Sequence, residues 1–440
     1  MTDVTTDVLG LPEQQLLEFV RRQRWFGAKT LEATGAQLID YALLREQPRL
    51  ADALVEIRYA TANRDVYQML LGDEECDMIA DPGLARELIR LVRAGAKLPT
   101  TNGEIAFEPI GAIPDDTPPI ESVRVLGLEQ SNSSLVVDER LFVKLYRRLE
   151  AGVNPELEML RFLAAHGFAH TPPLLGSWEY TGPPMSATLG IVQEFVPDAV
   201  DGWTMAVDQL REDPETFLAR VRRLGEAIGE MHVVLASDET DPSFAPEEAS
   251  AESLALLVAS VDEDIDQILL HLPADESVAP IAGRGDAVRH LLQSLTTVGS
   301  VGRRIRHHGD LHLGQMLWSD DGWRVIDFEG EPARALPERR NKRSPLRDVA
   351  GMLRSFTYAS AVAGTAENGL DERARGEFMA GYSAAVDGSG LLPPPEATDR
   401  LLRIFELEKA FYELRYELAH RPDWVPVPVA GIVRLLDEAA

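Results

Sequence analysis

The stretch that determines the fold of this chain is HHGDLHLGQMLWSDDGWRVIDFEGEP, residues 307–332. Two apolar runs, MLW and WRVIDF, flank an Asp-Asp-Gly turn signal, and this pattern predicts an antiparallel hairpin. A hairpin brings the residues before its first strand next to those at the end of its second strand. We therefore expect Asp310, Gln315 and Asp327 to surround one small volume.

Oxygen-bearing side chains are the ligands that a hard cation such as Mg²⁺ prefers. We predict that Gln315 and Asp327 bind this metal and that Asp310 is a base, which accepts the proton of an incoming hydroxyl. The spacing is similar to the H-R-D-x-x-x-x-N and D-F-G motifs of protein kinases. Gln315 replaces the Asn of that pattern, and Glu329 replaces its last Gly.

Phosphate transfer of this kind also needs a lysine on a strand and a glutamate on a helix that holds the lysine. LFVKLYRR places Lys144 on a predicted strand, and NPELEMLRFL carries Glu156 and Glu158 on the next predicted helix. Helical phase alone does not separate the two glutamates, and we choose Glu158 from the family resemblance given below. An exposed lysine in an ordinary salt bridge is the alternative.

Two further segments are predicted to contact a nucleotide. One is a turn between strands, whose N–H groups and hydroxyls would hold phosphate, at Ser131, Asn132, Ser133 and Ser134. The other is the end of the strand GIVQEFV, where the backbone of Glu194 and Val196 would pair with adenine. A plain hairpin turn and a buried strand end would give the same patterns. The chain has no G-x-x-x-x-G-K-[ST] motif, which excludes an ordinary P-loop.

The composition is that of a globular protein, with 440 residues, 45% of them hydrophobic and 26% charged. A net charge of -29 opposes non-specific binding to nucleic acid or to an anionic membrane. No apolar run approaches the roughly 20 residues of a membrane span, and the N-terminus lacks the pattern of a signal peptide. The single cysteine excludes an internal disulfide. We therefore expect a cytoplasmic protein that binds neither nucleic acid nor membrane.

Five motifs together resemble the bacterial maltokinases, relatives of aminoglycoside and choline kinases: HGDLHLGQ, VIDFEGEP, SPLRDVAGMLRSF, RQRWFGAK and EKAFYELRYELAHRPDWVPVPV. The resemblance runs from Arg22 to about Pro428. It implies ATP-dependent phosphorylation of maltose at its anomeric hydroxyl, with Mg²⁺, to give maltose 1-phosphate and ADP. That product would feed α-glucan (glycogen) synthesis from trehalose. The resemblance also implies a possible complex with a separate trehalose synthase chain.

The predicted fold class is α+β, a bilobal fold similar to that of eukaryotic protein kinases. Residues 1–108 would form an N-terminal cap subdomain, and residues 109–202 an intermediate subdomain that completes the nucleotide-binding N-lobe. Residues 203–440, which have helical periodicity almost throughout, would form a C-lobe with the catalytic loop and the sugar site. In SPLRDVAGMLRSFTYA, Ser344 and Pro345 start a helix whose first turn, with Arg347 and Asp348, would brace the loop.

The acceptor sugar is predicted to meet the helix EKAFYELRYELAH, where carboxylates would bind hydroxyls and aromatic rings would cover the ring face. Residues four apart on a helix are neighbours, which predicts a compact patch of tyrosines and glutamates. An ordinary ion pair between Lys409 and Glu413 is the alternative, and His312 also suits loop orientation by hydrogen bonds. The predicted substrate residues are His312, Glu329, Tyr412, Glu413, Tyr416, Glu417 and Trp424.

Two other functions fit the same residues. One is a kinase of glucosamine, another amino sugar or an aminoglycoside, in which Glu413 and Glu417 would meet an ammonium group. The other is a non-catalytic kinase-like partner of trehalose synthase. The presence of Lys144, Asp310 and Asp327 argues against the non-catalytic function.

Overall fold

The structure is a computed structural model that describes residues 11–28, 31–73, 77–113, 120–127, 132–183, 185–294, 301–332 and 334–438. The chain divides into two compact units. Unit 1 comprises Met1–Ala164 and Pro172–Asp198, and unit 2 comprises Ala165–Thr171 and Ala199–Ala440. Strands and helices occur together, which confirms the α+β class. The predicted three-part division at residues 108 and 202 stays a prediction.

Unit 1 contains most of the strands. In chain order its elements are α1 (Glu13–Arg22), β1 (Ala33–Arg45), β2 (Leu50–Tyr59), β3 (Arg64–Gly72), α2 (Pro82–Ala94), β4 (Lys97–Pro99), β5 (Glu104–Pro109), β6 (Val123–Leu126), β7 (Asn132–Val137), β8 (Leu141–Tyr146), β9 (Arg148–Leu149), α3 (Pro155–Ala165), β10 (Leu174–Gly182) and β11 (Met185–Glu194).

Local sequence signals account for these elements. Asp81 caps α2 by accepting a hydrogen bond from the backbone N–H of Gly83 at 2.8 Å, and Pro82 occupies the first turn. The helix ends at Gly95, whose φ of 57° is left-handed and favours glycine. The runs LIDYALL, ALVEIRYA and VYQMLLG form the antiparallel strands β1, β2 and β3.

Two sheets organise unit 1. The first has the order β1-β2-β3-β9, and the second has the order β4-β5-β10-β11-β8-β7-β6. Trp25 and Phe26, which follow α1, belong to the core of the first sheet, and their rings lie 5.6 and 5.7 Å from the ring of Tyr67. The second sheet contains strands from both sides of residue 108, and its strand β8 carries Lys144.

Buried polar groups join the two sheets. Asp40 on β1 is fully buried and accepts hydrogen bonds at 2.7 Å from the hydroxyls of Thr100 and Tyr180, which belong to the second sheet and its connections. Asp52 on β2 accepts one at 3.2 Å from the indole of Trp178 on β10. Burial raises the pKa of Asp52 to about 7, although the hydrogen bonds that it accepts oppose the rise. These contacts make the two sheets one packed unit.

Unit 2 is mainly helical. In chain order its elements are β12 (Val200–Asp201), α4 (Gly202–Glu212), α5 (Pro214–Leu235), β13 (Glu247–Glu248), α6 (Ala251–Leu270), a 3-10 helix (Glu276–Ile281), α7 (Gly285–Gln293), β14 (Arg303–Arg304), a 3-10 turn (Leu313–Gln315), β15 (Met316–Ser319), β16 (Gly322–Val325), α8 (Leu336–Arg339), α9 (Leu346–Ala363), a 3-10 turn (Ala366–Asn368), α10 (Leu370–Val386), α11 (Pro395–His420), a 3-10 turn (Pro422–Trp424) and α12 (Pro426–Asp437).

The core of unit 2 forms where α9 packs against α5, α10 and α11. Phe356 on α9 contacts Phe217 and Phe378 edge-on, with ring centroids 6.4 and 5.7 Å apart. This packing fixes the helix whose first turn lies beside the loop at residues 307–310. No helix in the described part of the chain is both long and apolar enough to span a lipid bilayer.

Candidate active site

The predicted hairpin forms in unit 2. Strands β15 and β16 pair from Met316 with Val325 to Ser319 with Gly322, so that the turn consists of Asp320 and Asp321. The backbone N–H of Ile326 donates to the carbonyl of Gln315 at 3.0 Å, which extends this pairing by one step.

Two of the three side chains that were predicted to meet at the open end of the hairpin are in contact. Gln315 Nε2 donates to Asp327 Oδ2 at 3.1 Å. Because the amide nitrogen of Gln315 donates this hydrogen bond, the amide oxygen is not used in it. The candidate cation ligands are therefore this amide oxygen and the Asp327 carboxylate. Two oxygen donors of this kind fit Mg²⁺. Their approach is confirmed, while their role as metal ligands remains a prediction.

The loop that carries Asp310 is held by the first turn of α9. The carboxylate of Asp348 accepts the backbone N–H of His308 at 2.7 Å and that of Gly309 at 2.9 Å. Gly309 has a φ of 86°, a conformation that favours glycine, and it turns the chain toward Asp310. The predicted bracing of the loop by this helix is thereby confirmed.

Histidines complete the support of the loop. His232 Nε2 lies 3.1 Å from Asp348 Oδ2, and His308 Nε2 lies 3.0 Å from the carbonyl oxygen of Ile326. Burial acts to raise the pKa of Asp348, but the nearby His307 and the hydrogen bond with His232 hold it well below its usual range. Asp348 is therefore ionised and can accept several hydrogen bonds at once.

A cavity of about 330 Å³ in unit 2 has Asp310 on its wall. Lys409 on α11 also lines it, and Lys409 Nζ lies 3.6 Å from Asp310 Oδ1. Burial acts to lower the pKa of Lys409, but the carboxylates of Asp310, Glu413 and Glu331 raise it above its ordinary value. A charged lysine thus orients the carboxylate of Asp310. Neither sequence spacing nor periodicity indicates this pair, because the partners are far apart in the chain.

Part of the predicted sugar patch on α11 lies on the cavity wall. Tyr412 lines the cavity, together with Phe405, Glu408 and Lys409, which lie three to four residues apart. Glu413 follows Lys409 by one helical turn, and its carboxylate acts to raise the pKa of Lys409. The use of the whole patch as one sugar-binding surface stays a prediction.

The remaining patch residues contact other side chains in unit 2. Glu413 accepts from the buried Arg354 on α9 at 2.6 Å, and Glu417 forms an ion pair with Arg421 at 2.8 Å. Trp424 stacks on Tyr358 with ring centroids 6.1 Å apart.

The other predicted substrate residues, Tyr416, His312 and Glu329, also contact neighbouring residues of unit 2. The Tyr416 ring is exposed and stacks on His420 at 4.4 Å. His312 Nδ1 accepts the backbone N–H of Gly314 at 3.0 Å, and the carbonyl of Glu329 accepts from Arg339 at 3.4 Å. Sugar binding by these side chains stays a prediction.

In unit 1, the buried Lys144 forms an ion pair at 2.9 Å with Glu156. Glu156 is 2% exposed, and it also accepts the hydroxyl of Tyr146 at 2.8 Å. The structure thus gives Glu156 the role that we predicted for Glu158, whose side chain is half-buried. The packing of α3 selects Glu156, which lies on the face that also buries Met159 and Leu163.

The predicted phosphate-binding turn is largely strand. Asn132, Ser133 and Ser134 belong to β7 and are buried, and Ser134 pairs in register with Lys144. The hydroxyl of Ser133 accepts a hydrogen bond from the buried Arg147 at 2.7 Å. This part of the turn prediction was wrong, because a strand covered on both faces shows no alternation of apolar and polar residues. Ser131 lies outside the described residues.

The predicted adenine contacts lie at the end of β11. Glu194 is exposed, and it lines a cavity of about 270 Å³ in unit 1 with Phe195 and Pro197. Val196 is half-buried. Pairing of these two backbones with adenine stays a prediction.

Known proteins resemble this chain in sequence and in fold. Residues 122–330 match the Phosphotransferase enzyme family. A glucosamine kinase of Mycolicibacterium smegmatis is 29% identical over 336 residues, which are 72% of this chain and 80% of that protein. A glucosamine kinase of Streptacidiphilus jiangxiensis is 26% identical over 340 residues, 73% of this chain and 75% of that protein.

A solved structure extends the likeness to the whole chain. Glucosamine kinase in complex with glucosamine, ADP and inorganic phosphate aligns with a TM-score of 0.75 and 21% identity, covering 99% of this chain and 100% of that one. This likeness confirms the kinase-like fold. The narrower resemblance to maltokinases is not supported, because these relatives are glucosamine kinases. Residues 122–330 are therefore similar to the phosphotransferase family, and the fold of the whole chain is similar to that of the glucosamine kinase structure.

Proposed function

We propose that this protein is an ATP-dependent kinase that phosphorylates a hydroxyl group of an amino sugar such as glucosamine. The observation that carries the proposal is the position of Asp310, on the wall of a cavity of about 330 Å³ and 3.6 Å from Lys409. A carboxylate in such a cavity can receive the proton of a bound hydroxyl. The two glucosamine kinases that share 26% and 29% identity with the chain support the choice of acceptor.

The residues have complementary roles in this reaction. Asp310 accepts the proton of the acceptor hydroxyl. The hydroxyl oxygen of the acceptor then bonds to the γ-phosphorus of ATP, and the bond from that phosphorus to ADP breaks. Lys409 and Asp348 hold Asp310 and its loop in place, so the reaction gains mainly from positioning. Lys144, fixed by Glu156, would neutralise phosphate charge in unit 1. Gln315 and Asp327 would hold Mg²⁺, which balances the negative charge of the phosphates.

The cavity also offers groups that suit an ammonium. Asp264 and Glu338 are exposed on its wall and form no ion pair among the described residues. A carboxylate without a cationic partner favours a positively charged ligand group. The maltose acceptor and the trehalose synthase partner, which the resemblance implied, have no support among the relatives.

A competition assay tests the acceptor. The purified protein is incubated with ATP and Mg²⁺, and ADP formation is measured with glucosamine, with maltose and with both sugars together. We expect kcat/KM for glucosamine to exceed that for maltose by about tenfold or more, since the ammonium pairs with a carboxylate. A preference for maltose would instead restore the acceptor that the maltokinase resemblance implied.

An Asp310→Asn variant tests the chemistry. It should lose about a thousandfold in kcat, since positioned general bases contribute on the order of a hundredfold to ten-thousandfold, and its fold should persist. Asp321→Asn, in the exposed hairpin turn, is the matched control and should keep full activity. Near-normal turnover in Asp310→Asn contradicts the assigned base.

A further inference from the structure

Arg343 lines the same cavity as Asp310, and its side chain is half-buried. Its backbone is fixed by two hydrogen bonds of 2.9 Å with Ile305, one in each direction. Its guanidinium forms neither a hydrogen bond nor an ion pair with any residue in the described ranges. The backbone is thus held in place at a cation that lines the cavity.

Three neighbouring cations of the cavity differ from Arg343, because each pairs with a carboxylate. Arg334 pairs with Glu331, and Arg347 pairs with Glu408 at 3.0 Å. Lys409 pairs with Asp310 at 3.6 Å. These acids are therefore already neutralised by other partners.

The electrostatic environment of Arg343 is unfavourable without an anion. Burial lowers the pKa of its guanidinium to about 10, and the positive charges of Arg347 and Arg334 act in the same direction. The group is still charged near neutral pH. A cation that is withdrawn from water and placed beside like charges costs free energy, unless a negative group completes the site.

His307 adds a neutral partner on the same wall. Burial lowers the pKa of His307 to about 3, so that its imidazole is uncharged near neutral pH. Its Nδ1 is buried and has no hydrogen-bond partner among the described side and main chains. A neutral imidazole can donate to an anionic oxygen from one nitrogen, and it adds no charge that would need a counter-ion.

We propose that Arg343 forms an anion subsite in this cavity, which binds a phosphate group with help from the imidazole of His307. A guanidinium binds phosphate through paired N–H donors, and Arg343 brings such a group to the cavity wall. The subsite itself rests on the cavity geometry. Its description as part of the acceptor pocket rests on the proposed function.

Binding of inorganic phosphate tests the subsite without any need for catalysis. Phosphate is titrated calorimetrically into the wild type and Arg343→Gln at constant ionic strength, because salt screens such contacts. We expect Arg343→Gln to weaken phosphate binding by about tenfold or more, and Arg343→Lys to retain part of the affinity. Arg373→Gln is the matched control, since Arg373 is 52% exposed and pairs with Glu215 outside the cavity.

Two further titrations identify the source of the phosphate. If the acceptor carries it, glucosamine 6-phosphate binds more tightly than inorganic phosphate and displaces it. If free phosphate is the ligand, glucosamine and phosphate bind together. Equal affinities in the wild type and Arg343→Gln, or no binding of either probe to the wild type, would overturn the subsite. Phosphate binding through Arg343 in a protein that does not phosphorylate glucosamine would refute the proposed function alone.

Discussion

Asp348 accepts the backbone N–H of His308 at 2.7 Å, so a carboxylate on α9 fixes the loop that precedes the proposed base. The same carboxylate receives Gly309 and His232. A single acidic side chain therefore connects a helix of the core with the reactive loop. Its loss should affect both stability and turnover.

For Asp348→Asn we expect the free energy of unfolding to fall by about 3 kcal/mol, because buried donors lose their charged acceptor. We expect kcat to fall by about tenfold or more, since Asp310 is less well positioned. Urea unfolding and steady-state kinetics measure the two effects. Asp286→Asn is the matched control, because Asp286 also lies in a first helical turn but is 99% exposed. Equal behaviour of the two variants would contradict the bracing role.

The pair of Lys144 and Glu156 predicts a difference between two neighbouring glutamates. Glu156→Gln removes the carboxylate charge that pairs with the buried Lys144, so stability should fall by about 3 kcal/mol and kcat/KM for ATP should fall with it. Glu158→Gln should change both quantities much less. Thermal unfolding and ATP kinetics of the two variants provide the comparison, and a larger loss in Glu158→Gln would restore the residue chosen from sequence.

The different contacts of Tyr412 and Glu413 on α11 predict separate defects. Tyr412→Ala removes a ring from the cavity wall and should raise KM for the sugar by about tenfold, with little loss of stability. Glu413→Gln should lower stability by about 3 kcal/mol, because Arg354, whose side chain is 1% exposed, loses its carboxylate. Its KM should change little. Steady-state kinetics with the sugar and urea unfolding measure these effects. A raised KM in Glu413→Gln, with an unchanged KM in Tyr412→Ala, would indicate that Glu413 binds the sugar.

His307 predicts a pH-dependent stability. Its pKa falls from 6.5 in the unfolded chain to about 3 in the folded one, so between these values only the unfolded chain binds the proton. Stability is complete above the unfolded value and decreases as the pH falls, by about 1.4 kcal/mol per pH unit from this group. Between about pH 7 and pH 5 the wild type should lose about 2 kcal/mol more than His307→Gln.

Urea unfolding at both pH values measures this difference. His271→Gln is the control, because His271 is exposed and should leave the pH dependence of the wild type unchanged. A His307→Gln variant with the same pH dependence as the wild type would show that this imidazole titrates normally in the folded chain.

The contacts that the sequence could predict are those between residues close together in the chain. The approach of Gln315 and Asp327 follows from one turn and two short strands, so local pattern was sufficient. The pair of Asp310 and Lys409 depends on how α11 packs in unit 2, and no local pattern encodes that packing. The choice between Glu156 and Glu158 depends on how α3 packs in unit 1, which the apolar pattern of the helix did not show.

The strand β7 shows the opposite limit. Its residues Asn132, Ser133 and Ser134 have the composition of a turn, and their hydroxyls and amide suggested exposure. In the structure all three are buried, and Ser133 is a partner of the buried Arg147. Sequence alone does not distinguish a polar residue that hydrogen-bonds a buried charged group from one that is exposed to solvent. The position of the charged group must be known first.

Arg147, three residues after Lys144, determines how the N-terminal region can be altered. Its guanidinium lies 5.2 Å from the ring of Trp25, and it donates to Asp77 at 2.7 Å and to the carbonyl of Gln68 at 3.4 Å. A truncation that removed residues 1–77 would delete all three partners at once and would leave the buried guanidinium without a carboxylate. The N-terminal segment is accordingly no detachable accessory, and calorimetry should show both sheets of unit 1 melting in one cooperative transition.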